Sequence, residues 1–166
     1  MPLRQRLFGA SETVQDFELG AEQRYWEGVE LMVAGRPFGG VYVIGYAAEM
    51  LLKRACFIVD GARPSDMVGP RLGPIRSWAR RQLPDISPEQ FHSLLFWAHV
   101  LRFKRRLAGR QFDQQFDARL VQRMRRLYGN WLVSMRYYPG YMTPLEVRSV
   151  YDDVTWLRDH RLLLER

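Results

Sequence analysis

The sequence predicts an all-α fold, an antiparallel helical bundle of about five to six helices in a single domain over residues 1–166. Three observations lead there. Residues 39–59 are apolar on nearly every face, too long for an ordinary strand and rich in Ala, Met and Leu. A helix apolar all round belongs in the middle of a bundle. The flanking segments repeat apolar residues at helical spacing behind capping signals, and no stretch alternates convincingly as a half-buried strand.

Residues 1–10 read as a lead-in. Thr13, with Asp16 three residues on, marks the first helix start. Phe17, Ala21, Tyr25, Val29 and Met32 then line one face, widened by Trp26 and Val33, until Gly35 and Pro37 end it. The central helix follows to Val59 and stops at Asp60-Gly61. Residues 62–73 contain Pro64, Gly69, Pro70 and Gly73 and read as a loop, with Pro74 opening a short helix.

Ser87-Pro88-Glu89-Gln90 signals a helix over 88–107, burying Phe91, Leu94, Leu95, Trp97, Ala98 and Leu101 and ending in R-F-K-R-R. Residues 109–116 read as loop. A helix over 117–128 has Leu120, Val121, Met124, Leu127 and Tyr128 on its apolar stripe. Residues 131–138 are of open type. Thr143-Pro144-Leu145-Glu146 begins the last helix, which buries Val147, Val150, Tyr151, Val154 and Leu157 and turns Asp152, Asp153 and Asp159 to water.

Apolar residues make up 47% of the chain and aromatics 13%, which excludes a disordered polypeptide. Lys53 and Arg54 interrupt the best membrane-spanning candidate, so no membrane association is expected. The first ten residues lack a signal-peptide core, and the lone Cys56 cannot pair within the chain; a reducing cytoplasm is expected, with Cys56 a buried structural thiol. All five tryptophans are expected in the core rather than on a base-stacking platform.

Net charge is +7, unevenly spread: residues 61–130 hold 14 basic and 5 acidic side chains, while the remainder is slightly acidic. Such a segment either attracts phosphate backbones or is a solvated surface. The nucleic-acid-binding candidates are Arg102, Lys104, Arg105 and Arg106 at one helix end and Arg119, Arg123 and Arg126 along the next helix. The competing account pairs the second group with Asp152 and Asp153.

Tyr46, Glu49 and Lys53 share one face of the central helix. Charges buried there need partners, and Arg136 is the expected cation for Glu49. With Tyr137 these residues make either a polar, nucleotide-binding pocket or an ion-pair network that fixes helix register. His92 and His99 are seven apart on one expected helix, too far for one metal site, and no phosphate-binding glycine loop is present; neither metal nor cofactor is expected.

Two segments carry a family resemblance. Y-V-I-G-Y-A-A-E-M-L-L-K, preceded by R-Y-W-E-G-V-E-L, resembles the second-helix signature of the HEPN family (higher eukaryotes and prokaryotes nucleotide-binding). W-L-V-S-M-R-Y-Y-P is similar to the tryptophan-to-arginine-tyrosine-proline element near the end of small prokaryotic members. The resemblance implies an antiparallel bundle, often a homodimer, in proteins that handle RNA or nucleotides, many of them ribonucleases of toxin–antitoxin or phage-defence systems. It also implies a nucleotidyltransferase-type or defence-complex partner. Ribonuclease members place a histidine four to six residues beyond an arginine. None of His92, His99 and His160 meets that spacing, and the fifth position after Arg136 is Tyr141. The expected protein is therefore a non-nuclease that binds RNA, single-stranded DNA or a nucleotide. The alternatives are a dimerisation or interaction module, a ribonuclease with an altered set such as Arg136 with Tyr141 or His99, and a helix-turn-helix DNA binder.

Overall fold

The computed structural model describes residues 12–83, 92–137 and 140–166. It is an all-α bundle, with seven α-helices and one 3-10 turn among the described residues. Helix α1 (Val14–Val33) starts on the anticipated capping box: the Thr13 hydroxyl accepts from the Asp16 N–H at 3.2 Å, and the Asp16 carboxylate accepts from the Thr13 N–H at 2.8 Å. The chain reverses at Gly35 into α2 (Pro37–Val59). The two helices approach closely because Gly28 and Gly40 oppose each other. A Cβ on Gly28 would lie 2.7 Å from the Ile44 Cβ, and one on Gly40 would lie 2.5 Å from the Met32 Cγ.

Helix α2 is the centre of the bundle. Residues 47–49 and 51–57 are all buried, and the helix touches α1, α4, α6, α7 and the 3-10 turn. Cys56 is fully buried, its thiol donating to the Trp97 carbonyl at 3.5 Å and pushed up in pKa by that burial.

Helix α3 (Gly69–Gln82) begins five residues before the expected start, and Pro74 lies inside it. Pro70 occupies the first turn, where no N–H partner is required. Pro74 costs one backbone bond, which the burial of Val68, Ile75 and Ala79 offsets. The preceding loop is tied to the start of α1, where the Val14 N–H donates to the Asp66 carbonyl and the Val68 N–H to the Glu12 carbonyl, both at 2.9 Å.

Helix α4 (Leu94–Leu107) is shorter than expected. Its N-cap is Ser93, extended in backbone and accepting from the Phe96 N–H at 3.3 Å. The Ser87 signal and Phe91 lie outside the described residues. His92 therefore precedes the helix and does not share a helical face with His99. Helix α5 (Gln114–Asn130) starts three residues early because Asp113 caps it, accepting from the Phe116 N–H at 2.9 Å. It runs through Gly129 to an extended Trp131. A 3-10 turn (Val133–Tyr137) occupies the segment left open by the sequence.

Helix α6 (Pro144–Asp159) starts on the second capping box, with Thr143 and Glu146 in their expected roles, and α7 (Arg161–Glu165) follows. No helix among the described residues is long and apolar enough to cross a membrane.

One apolar cluster joins the helices, including Phe96, Trp97 and Leu101 of α4, Leu120, Met124 and Leu127 of α5, and Val150, Val154 and Leu157 of α6. Each such burial stabilises by about 1.5–3 kcal/mol relative to exposure. Trp97, Trp131 and Trp156 are buried and Trp78 half-buried, as expected of a core; Trp26 is not, being 50% exposed over Tyr25 and the Arg158 guanidinium. Val33 also faces water at the end of α1 rather than widening the stripe, and Tyr151 is exposed.

The largest departure is Asp153. Expected in water, it is fully buried, and its carboxylate accepts from Arg123 Nη1 at 2.8 Å and from Arg126 Nε at 2.8 Å. It sits beside Val154 in the α5–α6 seam, so periodicity alone, which placed it on the outer face, gave the wrong side.

Candidate functional site

Two polar clusters among the described residues border a pocket or groove. The first surrounds Glu49 on α2. The residue is 4% exposed; Oε1 accepts from the Lys53 ammonium one turn on and lies 2.9 Å from His92 Nδ1. Glu49 Oε2 has no hydrogen-bond partner among the described residues. Lys53 lies 5.4 Å from the Trp97 ring centroid. One turn earlier the Tyr46 hydroxyl meets that of Tyr42 at 2.8 Å, and its ring packs edge-on against Trp131. Burial, then the Tyr42 hydroxyl, pushes Tyr46 above its ordinary pKa.

Trp131 is positioned by Gly45. A Cβ there would lie 2.0 Å from the indole nitrogen, which donates to the Tyr42 carbonyl at 3.0 Å. A pocket of about 210 Å³ opens beside His92, between Ser93, Tyr128, Trp131 and Ser134.

This arrangement brings together Tyr46, Glu49 and Lys53 as expected but not Arg136 as the partner of Glu49. Arg136 is exposed, with its guanidinium 4.6 Å from the Tyr137 ring, and Tyr137 is itself 69% exposed. Arg136 stands on the neighbouring 3-10 turn, and His92, at the foot of α4, reaches Glu49 instead. No sequence signal linked His92 to Glu49, because the contact spans 43 residues.

The second site is a groove of about 860 Å³ between α4 and α5, lined by His99 and Arg102 from α4 and by Gln114, Asp117, Gln122, Arg125 and Arg126 from α5. A depression of about 410 Å³ adjoins it, sharing Arg102, Gln114 and Asp117 and adding Arg106 and Phe112. Arg102 forks onto Asp117, donating from Nε at 2.6 Å and from Nη2 at 2.5 Å. These bonds hold the Asp117 carboxyl below its ordinary pKa, with Arg106 adding to the effect. The remaining Arg102 nitrogen, Nη1, lies 3.4 Å from His99 Nδ1. Burial, then Arg102 and Arg125, lowers the pKa of His99.

The seven nucleic-acid-binding candidates divide. Lys104 pairs with Asp60 over the Trp78 ring, and Arg105 is buried against Phe112, donating to the Leu164 carbonyl. Arg123 and Arg126 do not stand in a free row with Arg119, because Asp153 takes both. Arg102 reaches the groove as part of its pair with Asp117. Arg106 and Arg119 are exposed and have no carboxylate within ion-pairing distance among the described residues. Arg125 is in the same state and lies off the face shared by Arg119, Arg123 and Arg126. Its signal was the repeat Ala118, Val121, Gln122, Arg125 along the groove side of α5.

Among the described residues no group of three or more His, Cys, Asp or Glu side chains is placed to hold a metal ion. Neither a family model, nor a curated protein, nor a solved structure matches the chain.

Proposed function

We propose that the protein is a HEPN-like, non-nuclease binding domain that holds RNA or single-stranded DNA by its phosphates along the α4–α5 groove. The observation that carries this reading is the state of the groove arginines. Arg106 and Arg125 face water without a carboxylate partner among the described residues, beside a polar cleft with His99, Gln114 and Gln122. Guanidinium groups left open in this way favour phosphate oxygens, and the affinity they give is non-specific and salt-sensitive. The HEPN-like segments of α2 and of the 3-10 turn support a role in RNA or nucleotide handling, in a toxin–antitoxin or defence setting. A filter-binding titration of single-stranded oligonucleotides at low and moderate salt tests the reading. Binding weakens steeply between roughly 50 and 200 mM salt if it is right, and an absence of binding at low salt refutes it.

A second reading, a homodimer, is favoured by a separate observation. Val33, Tyr141 and Leu145 are each more than 80% exposed. An apolar groove of about 390 Å³ lies between Met32, Pro37, Met142, Val147 and Tyr151. A second copy of the chain is the occupant that the family resemblance implies, and sedimentation equilibrium of wild type against Leu145→Asp tests it.

A further inference from the structure

His99 and Arg102 stand in a relation that a guanidinium permits in one form only. Arg102 gives Nε and Nη2 to Asp117, so Nη1 is the edge it turns toward His99 Nδ1, 3.4 Å away. A guanidinium donates and never accepts. Read as a hydrogen bond, this contact makes Nδ1 the acceptor, which is the neutral imidazole with its proton on Nε2. Protonating His99 would set an N–H against an N–H. An oxyanion seated between the two groups would accept from both and remove that conflict.

Resting on the groove reading above, we propose that His99 and Arg102 Nη1 form a proton-linked site for a terminal phosphate, a phosphomonoester, and that His99 takes up a proton as the phosphate binds.

The charged groups facing His99 are Arg102 from its own helix and Asp117, Arg125 and Arg126 from α5. The cations that oppose protonation of His99 are Arg102 and Arg125, while the Asp117 carboxylate favours it. A bound anion reverses that opposition. A phosphomonoester carries about −1.5 to −2 near neutral pH, whereas an internal diester carries a single charge, so the strand end gains more from the cluster. The groove, at about 860 Å³, has room for a nucleotide-sized ligand.

The test follows the His99 ring proton by NMR from about pH 8 to about pH 5, assigned by its loss in His99→Gln. The titration is made in the free protein, with inorganic sulfate as a dianion that does not itself titrate there, and with adenosine monophosphate. In parallel, 5′-phosphorylated and 5′-hydroxyl oligonucleotides of one sequence are compared by filter binding. Sulfate should raise the His99 midpoint by about one pH unit, which is about tenfold tighter sulfate binding to the protonated form. Phosphorylated ends should bind more tightly than hydroxyl ends, an advantage that His99→Gln abolishes. A shift with adenosine monophosphate but equal binding of both ends assigns the site to the free mononucleotide, and the reverse assigns it to the strand end. A midpoint indifferent to sulfate, together with equal binding of both ends, overturns the inference. If oligonucleotides still bind with a steep salt dependence in that case, the proposed function survives it. If sulfate moves the midpoint but no oligonucleotide binds at low salt, the anion site stands and the proposed function fails.

Discussion

The two sides of helix α5 use the same residue type in opposite ways. On the α6 side Arg123 and Arg126 converge on Asp153, which is fully buried and satisfied by both. On the α4 side Arg125 faces an open groove with Arg106 and no carboxylate within ion-pairing distance among the described residues. The difference teaches that arginine density does not by itself make a phosphate-binding surface. One buried carboxylate converts two surface cations into a helix–helix clamp, and only the arginines beyond its reach keep their charge for a ligand.

The sharpest way to break this comparison is to strand the clamp's carboxylate. Replacing Arg123 and Arg126 together by Ala leaves Asp153 buried without a cation and should cost about 3–5 kcal/mol of stability. Urea denaturation reads the effect, and a loss under about 1 kcal/mol would mean that the seam is no clamp. Glu49 offers an internal standard, since it is nearly as enclosed but paired with Lys53 along its own helix and with His92: Glu49→Ala, which removes the carboxylate these two groups share, should cost roughly 3 kcal/mol. A purely apolar disturbance should be smaller. Gly45→Ala drives a methyl group into the Trp131 indole and should cost about 1–3 kcal/mol, with Trp131 fluorescence reporting the displaced ring.

On the groove side the expected change is in binding rather than in folding. Arg106→Ala with Arg125→Ala should leave stability within about 0.5 kcal/mol of wild type and lower the salt slope of oligonucleotide binding by about two. An unchanged slope would remove these residues from the interface.

The pH dependence of stability separates the sites further. His99 has a depressed folded pKa, so the unfolded chain binds more protons; stability falls as pH drops from about 6.5 through the lower folded value. Asp117 is also depressed, by Arg102. Its contribution is full above about pH 4, the unfolded value, and is lost as pH falls through the folded value beneath it. Thermal melts of His99→Gln should lose the upper step and keep the lower one; loss of neither would show that His99 is not protonation-sensitive.

The chain by itself determined the fold class and the central place of α2, because a helix apolar on all faces has no stable position except among other helices. It determined both capping boxes as well, since Thr13 with Asp16 and Thr143 with Glu146 act over three residues and need no tertiary context. It determined less about the other helix ends. Asp113 carried a cap signal hidden in a polar stretch, and α3 runs through Pro74 because Val68, Ile75 and Ala79 pack on the core.

Tertiary structure decided the charge partners that the sequence left open, and for Arg123 and Arg126 it settled on Asp153, one of the two carboxylates the competing account named. His92 reaches Glu49 across 43 residues, and Asp153 collects arginines 27 and 30 residues away. Helical periodicity gives the direction of a side chain about its own axis but not which neighbouring helix, or which solvent, meets it there. For an apolar residue that matters little, because any apolar neighbour will serve. For an arginine it decides between an ion pair and an exposed guanidinium, because Coulomb attraction is short in effective range and depends on the partner actually present.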